Sequence, residues 1–108
     1  RDSKKREIMG SIAYSNSNFT IITDDNPRNE PPEKIRKNIL KGCPNAIEIP
    51  GRDVAIKKAI SLLKKNDILL IAGKGHETTQ TIGKESLPFD DFSAAKLAIK
   101  NLKNEEYE

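Results

Sequence analysis

The sequence holds one cysteine, one histidine and no tryptophan, and aromatic residues make up only 5% of it. Each scarcity excludes something. Cys43 alone cannot close an internal disulfide, and nothing beside it offers metal-ligand spacing, so a reducing, cytoplasmic setting is expected. Few aromatic rings leave little with which to stack nucleic-acid bases. No apolar run approaches the roughly 20 residues that a bilayer-crossing helix needs, and the start has no signal-peptide apolar region. No membrane role is therefore expected.

What the sequence does have is charge. Charged residues are 32% and hydrophobic residues 35% of 108 residues, the balance of a globular domain with charged helix faces, and the length suits one domain. A net charge of +3 invites a nucleic-acid partner. The pattern argues against it: Lys and Arg alternate with Asp and Glu, and no basic stripe or groove-reading helix emerges. The one dense basic cluster, Lys4-Lys5-Arg6, reads as a solvated helix start.

Apolar spacing gives alternating helices and strands. Ile8, Met9, Ile12 and Ala13 predict an amphipathic helix over 5–15, broken by Asn16-Ser17-Asn18. Phe19 to Thr23 is a β-branched run of the kind a buried parallel strand presents. A polar loop, Asp24 to Asn29, follows. Pro31-Pro32 then opens a helix with Ile35, Ile39 and Leu40 on one side, stopped at Gly42 to Pro44. Ala46 to Ile49 predicts a second strand. Residues 52–65 predict a helix with Ala55, Ile56, Ala59, Ile60 and Leu63 as its stripe. Ile68 to Ala72 is an unbroken apolar run, predicted as a strand covered on both faces. Residues 78–89 suggest a short strand or hairpin. Asp90-Asp91 precedes a closing helix marked by Phe92, Ala95, Ile99 and Leu102, with Phe89-Asp90-Asp91 as a hydrophobic staple and capping acids. This order implies an α/β domain with a mainly parallel sheet and helices on both faces.

Ligands of such sheets bind beyond the carboxyl ends of the strands. That points to two loops, Asp24–Asn29 and Gly73–Glu77. In the first, Pro27 stiffens the backbone while Asn26 and Arg28 offer an amide and a planar fork of donors suited to a carboxylate or phosphate. An ordinary surface turn with a solvated Arg28 accounts for the same residues. In the second, Gly73 and Gly75 allow close backbone approach, and Glu77 offers a carboxylate to an ammonium group. It is neither a Walker A loop nor G-x-G-x-x-G. His76, without a nucleophile or acid beside it, reads as a structural histidine. Cys43 reads as a packed or partly exposed thiol.

Taken in order, these stretches resemble one family. Arg1-Asp2, Lys5-Arg6 and Met9 are similar to D-R-D-x-x-K-R-x-x-M, Thr23 to Glu30 to T-D-D-N-P-R-x-E, and Arg52 to Ala59 to R-x-x-A-I-x-x-A. Ala72 to Glu77 resembles A-G-K-G-H-E, and Phe89-Asp90-Asp91 resembles F-D-D. All are motifs of the third, amino-acid-binding domain of MurE-type Mur ligases, which add meso-diaminopimelate in peptidoglycan synthesis. The resemblance runs over residues 1–102, with 103–108 read as a tail. It implies a Rossmann-like three-layer fold whose first strand is truncated here.

It further implies that the intact ligase uses ATP and Mg2+, bound mainly outside this chain, to activate UDP-MurNAc-L-Ala-D-Glu, held by other domains. Meso-diaminopimelate would be bound here by Arg1, Asp25, Asn26, Arg28, Gly73 and Glu77. No catalytic residue and no metal site are expected within the chain, which alone would be an inactive monomer. Arg28 is the residue where lysine-adding relatives depart, so it carries the substrate assignment. Three other readings remain open at this stage. One is a free-standing nucleotide- or phosphate-binding module using Gly73–Gly75, another a purely structural or interaction domain, and the third a related ligase adding another amino acid.

Overall fold

The computed structural model describes residues 3–73 and 77–106. Its elements run α1 (Ser3–Asn16), β1 (Ile21–Ile22), α2 (Pro32–Leu40), β2 (Ile47–Glu48), α3 (Arg52–Ser61), β3 (Thr79–Ile82), β4 (Glu85–Pro88) and α4 (Asp91–Glu106). The strand β1 pairs in parallel with β2, placing Ile21 opposite Ile47 and Ile22 opposite Glu48. With α2 between them this is a βαβ unit, as the alternating pattern predicts. Strands β3 and β4 form an antiparallel hairpin turned at Gly83, whose φ is +61°. The closing helix α4 continues past residue 102 to Glu106.

The apolar core lies between α3 and α4. Ile56 and Ile60 from α3 meet Ala98 from α4, and Leu69, Ile71, Phe89 and Leu102 pack against them. The stripe on α3 is therefore the one its spacing predicts, although the helix ends at Ser61 and Leu63 stays 39% exposed. Asp90 caps α4, its Oδ1 accepting from the Ser93 amide at 2.7 Å, which satisfies one of the free N–H groups of the first turn.

Two expectations fail, for different reasons. Residues 68–72 form no strand pair among the described residues, and their apolar side chains split between two environments. Leu69 and Ile71 turn inward, while Ile68 is 93% and Leu70 84% exposed. An apolar run says that a segment favours burial; it does not supply the second layer that would cover its outer face. The sheet is accordingly smaller than a continuous three-stranded reading implies.

The second failure is in α1. Ile8, Met9 and Ile12 face outward, each more than half exposed, and the buried positions are Arg6 and Gly10. Helix α1 packs on α2 through glycine rather than through a branched stripe. A Cβ built on Gly10 would lie 2.1 Å from the Ile39 carbonyl oxygen, and one on Gly42 would lie 2.0 Å from the Glu7 carbonyl oxygen. The backbones approach too closely for any side chain between them. Cys43, next in sequence, is buried at 2% exposure, as a packed thiol.

Gly10→Ala must push backbone against backbone. It is expected to destabilise the chain by about 1–3 kcal/mol, the usual cost of overpacking, even though alanine favours helix. The urea midpoint of the variant, set beside that of the surface change Lys5→Ala, measures this. A midpoint equal to or above wild type would contradict the close approach.

Candidate functional site

The two loops singled out by their positions after β1 and after residues 68–72 come together in the folded chain. Asn26 Nδ2 donates to Glu77 Oε1 at 3.0 Å across 51 residues of sequence. A Cβ built on Gly73 would stand 3.7 Å from Asp25 Oδ2, so the start of the glycine loop runs beside the first loop's carboxylate. Gly73 has φ +102°, a backbone region that side-chain-bearing residues rarely adopt. Of the predicted site residues, Asp25, Asn26, Arg28, Gly73 and Glu77 are thus placed around one locality or on one loop. Arg1 lies outside the described residues, as do Gly75 and His76.

Three buried arginines hold this locality, and sequence reasoning assigned none of them a role there. Arg52, at the start of α3, is 4% exposed. Its guanidinium makes a two-pronged pair with Asp91, Nε to Oδ1 and Nη2 to Oδ2, each at 2.7 Å. It also donates from Nη1 to the Asp24 carbonyl and from Nη2 to the Ala72 carbonyl, each at 3.1 Å. One side chain therefore joins the beginning of each loop to the first turn of α4.

Arg36, on α2, donates to the Asp24 carboxylate, and its Nε donates to Glu48 Oε2 at 2.8 Å. The other Asp24 oxygen accepts from the Gly51 amide at 3.2 Å. Burial works to lower the Arg36 pKa, but hydrogen bonds to Glu48 and Asp24 outweigh it and the net direction is up. Thr23 extends the β1–β2 pairing, its hydroxyl donating to the Ile49 carbonyl at 2.6 Å.

The third is Arg6. It belongs to the cluster read as a solvated helix start, and that reading is corrected: Lys4 and Lys5 are exposed, but Arg6 is 7% exposed. It reaches from α1 to both carboxylate oxygens of Glu30, at 2.7 and 2.8 Å, and to Asn38 Oδ1 at 3.1 Å. Those hydrogen bonds hold the Glu30 carboxyl below its ordinary range, against the desolvation that acts the other way.

The segment Thr23 to Glu30 is consequently fastened at both ends. Arg28 is different. Its φ is +55° and its backbone is bonded on both sides to the hairpin, yet its side chain is exposed and makes no hydrogen bond or ion pair with the described residues. Of the arginines among the described residues it alone has an uncommitted guanidinium. The result is a free cationic fork on a stiff loop, near a carboxylate that has an amide beside it. Such a surface suits a ligand carrying both a carboxylate and an ammonium group. Among the described residues no group of three or more His, Cys, Asp or Glu stands together to hold a metal ion. A hollow of about 350 Å³ on the α3–α4 flank, reaching Lys57, Phe89 and Leu97, includes none of the predicted site residues.

Comparison with known proteins gives the family of the chain. Residues 1–75 match the model of the family described as "Mur ligase, glutamate ligase domain". The chain belongs to that family. It is 54% identical over 99 residues to the UDP-N-acetylmuramoyl-L-alanyl-D-glutamate–2,6-diaminopimelate ligase of Bradyrhizobium diazoefficiens, covering 92% of this chain and 20% of that protein. It is 48% identical to the ligase of the same name from Anaplasma marginale, covering 94% of this chain and 22% of the relative. A solved structure of a ligase bearing that name superposes with a TM-score of 0.87 at 37% identity, over 95% of this chain and 22% of the other. The chain spans about a fifth of the length of the curated relatives it matches.

The Arg6–Glu30 pair gives a pH prediction. A folded pKa below the unfolded one means that ionised Glu30 stabilises the fold. The contribution is complete above the ordinary carboxylate range and is lost as pH falls through the lowered folded value. Glu30→Gln should lower the thermal midpoint at neutral pH, and the gap from wild type should close as the solution is acidified. A gap of the same size in acid would contradict the ion pair.

Proposed function

We propose that this chain is the amino-acid-binding part of an ATP-dependent ligase that adds meso-diaminopimelate to UDP-MurNAc-L-Ala-D-Glu in peptidoglycan synthesis. Family membership and two relatives of that printed name support the reaction class. The observation that carries the substrate is Arg28: an exposed guanidinium without a partner among the described residues, on a loop fixed at both ends. Diaminopimelate differs from lysine by one carboxylate, and a site that prefers it must reward that group.

In this reading Arg28 and Asn26 take the distal carboxylate. Glu77 and the Gly73 backbone take the distal ammonium, with Asp25 and Arg1 completing the pocket. The Asn26–Glu77 hydrogen bond places an amide donor and a carboxylate acceptor about one hydrogen-bond length apart, as the two charged ends of one amino-acid centre require. ATP and Mg2+ supply the activation of the acceptor carboxylate. In this reading they are bound mainly by the other domains of the ligase. What this chain contributes is the hold on the incoming amino acid, in a cytoplasmic enzyme. The corresponding unit is residues 1–102.

Removing the fork should remove the preference. Calorimetric titration of the wild-type chain with meso-diaminopimelate and with lysine is expected to favour the former. Arg28→Met should bring the two together, a loss of roughly 2–5 kcal/mol of discrimination, typical of a charged hydrogen-bond partner left unmatched. Equal affinities in the wild type would contradict the assignment.

A further inference from the structure

The hairpin β3–β4 contributes no residue proposed to touch the ligand, yet the ligand-binding loop is fastened to it. The Thr81 amide donates to Asn26 Oδ1 at 2.8 Å, and Gln80 Nε2 donates to the Asp25 carbonyl at 2.8 Å. The Arg28 amide donates to the Thr81 carbonyl at 2.9 Å, and the Gly83 amide donates to the Arg28 carbonyl. Arg28 therefore joins the edge of β3 as a parallel bridge around Ile82.

Two consequences follow. A side-chain amide has unlike ends, and the Thr81 N–H occupies the oxygen end of Asn26. Its NH2 end is thereby directed toward Glu77, which takes one N–H and leaves the second for a bound anion. Arg28, at φ +55°, occupies a left-handed conformation uncommon for a residue with a side chain. Such a conformation persists where its surroundings over-determine it. Here both of its backbone polar groups are tied to β3 and its turn, which sets the direction in which the guanidinium leaves the chain.

We infer that the β3–β4 hairpin sets the specificity of the site, with Gln80, Thr81 and Gly83 as positioning residues for Asn26 and Arg28. The hairpin determines the preference for an amino acid with a second, distal carboxylate over one that lacks it. This rests on the diaminopimelate reading above.

Gly83 gives a selective probe. No atom lies within 4 Å of the Cβ it would carry, so a substitution acts through its backbone at φ +61° and not through a clash. Valine disfavours that conformation, whereas asparagine tolerates it. Gln80→Met keeps the length of the side chain and removes the donor to Asp25.

The experiment measures the affinities of the wild-type chain and of Gly83→Val, Gly83→Asn and Gln80→Met for meso-diaminopimelate and for lysine. Amide hydrogen exchange at Arg28 and in the α3–α4 core is followed alongside. Gly83→Val should weaken meso-diaminopimelate about tenfold, leave lysine unchanged and speed exchange at Arg28 with the core still protected. Gly83→Asn should keep the wild-type ratio of affinities. Gln80→Met should lower that ratio roughly threefold, the worth of one hydrogen bond. If Gly83→Val and Gln80→Met both keep the ratio, or weaken both ligands equally, the hairpin is only structural and the inference is overturned. A wild-type chain with no preference overturns the diaminopimelate reading and this inference with it, and the wild-type arm alone distinguishes that case.

Discussion

A guanidinium taken out of water must find an acceptor for its N–H groups, or the fold that buries it is penalised by several kcal/mol. Arg52 meets that demand with four hydrogen bonds to groups from three separate stretches of chain. Two acceptors are the Asp91 carboxylate, which supplies the countercharge. The other two are main-chain carbonyls, at Asp24 and Ala72, where the two candidate loops begin. Because a guanidinium is planar and rigid, it fixes the spacing of those carbonyls; a lysine ammonium on its flexible stem offers no such template. Breaking the pair by removing either partner leaves a buried charge, typically at a cost of about 3–5 kcal/mol. Arg52 therefore couples the α3–α4 layer to the start of each candidate loop.

The other charges divide into those that build and those left available. Arg6 is matched by Glu30, Arg36 by Asp24 and Glu48, and Arg52 by Asp91. Each pair ties a helix to the segment that follows β1, to β2 or to α4, which makes the segment after β1 stiff without a disulfide or a large apolar core. Arg28 stands outside this scheme. Its backbone is part of the frame and its guanidinium is not, so a ligand carboxylate can take it without dismantling anything. A site preorganised in this way loses little of its binding energy to ordering side chains on association.

Much of this order could be read from residue spacing. Pro31-Pro32, Asp90 and the stripe on α3 mark helix starts and faces that the structure reproduces, because caps and periodicity act locally. The rule that ligands meet α/β sheets beyond the strand ends singled out two loops that the structure brings together, and D-N-P-R and G-K-G-H-E gave the family. The buried arginines were not legible, since Arg is seldom fully buried and its partners lie far off in sequence. Arg52 carried one hint: a cation at a helix N-terminus opposes the helix dipole and calls for a compensating acid. The orientation of α1 was hidden because Gly10 and Gly42 act by what they lack, letting backbones meet where Ile8 and Ile12 suggested a side-chain face. The bare outer face of residues 68–72 was hidden too, because a run of apolar residues does not say how many layers will cover it.

One guanidinium joins the starts of both loops to α4, and amide hydrogen exchange in Arg52→Lys tests this most directly. Exchange should quicken together in three places, at residues 24–28, at residues 72–73 and in the first turn of α4, while the contact between α1 and α2 keeps its protection. Faster exchange at only one of the three would show that the loops are held independently, and the account would fail.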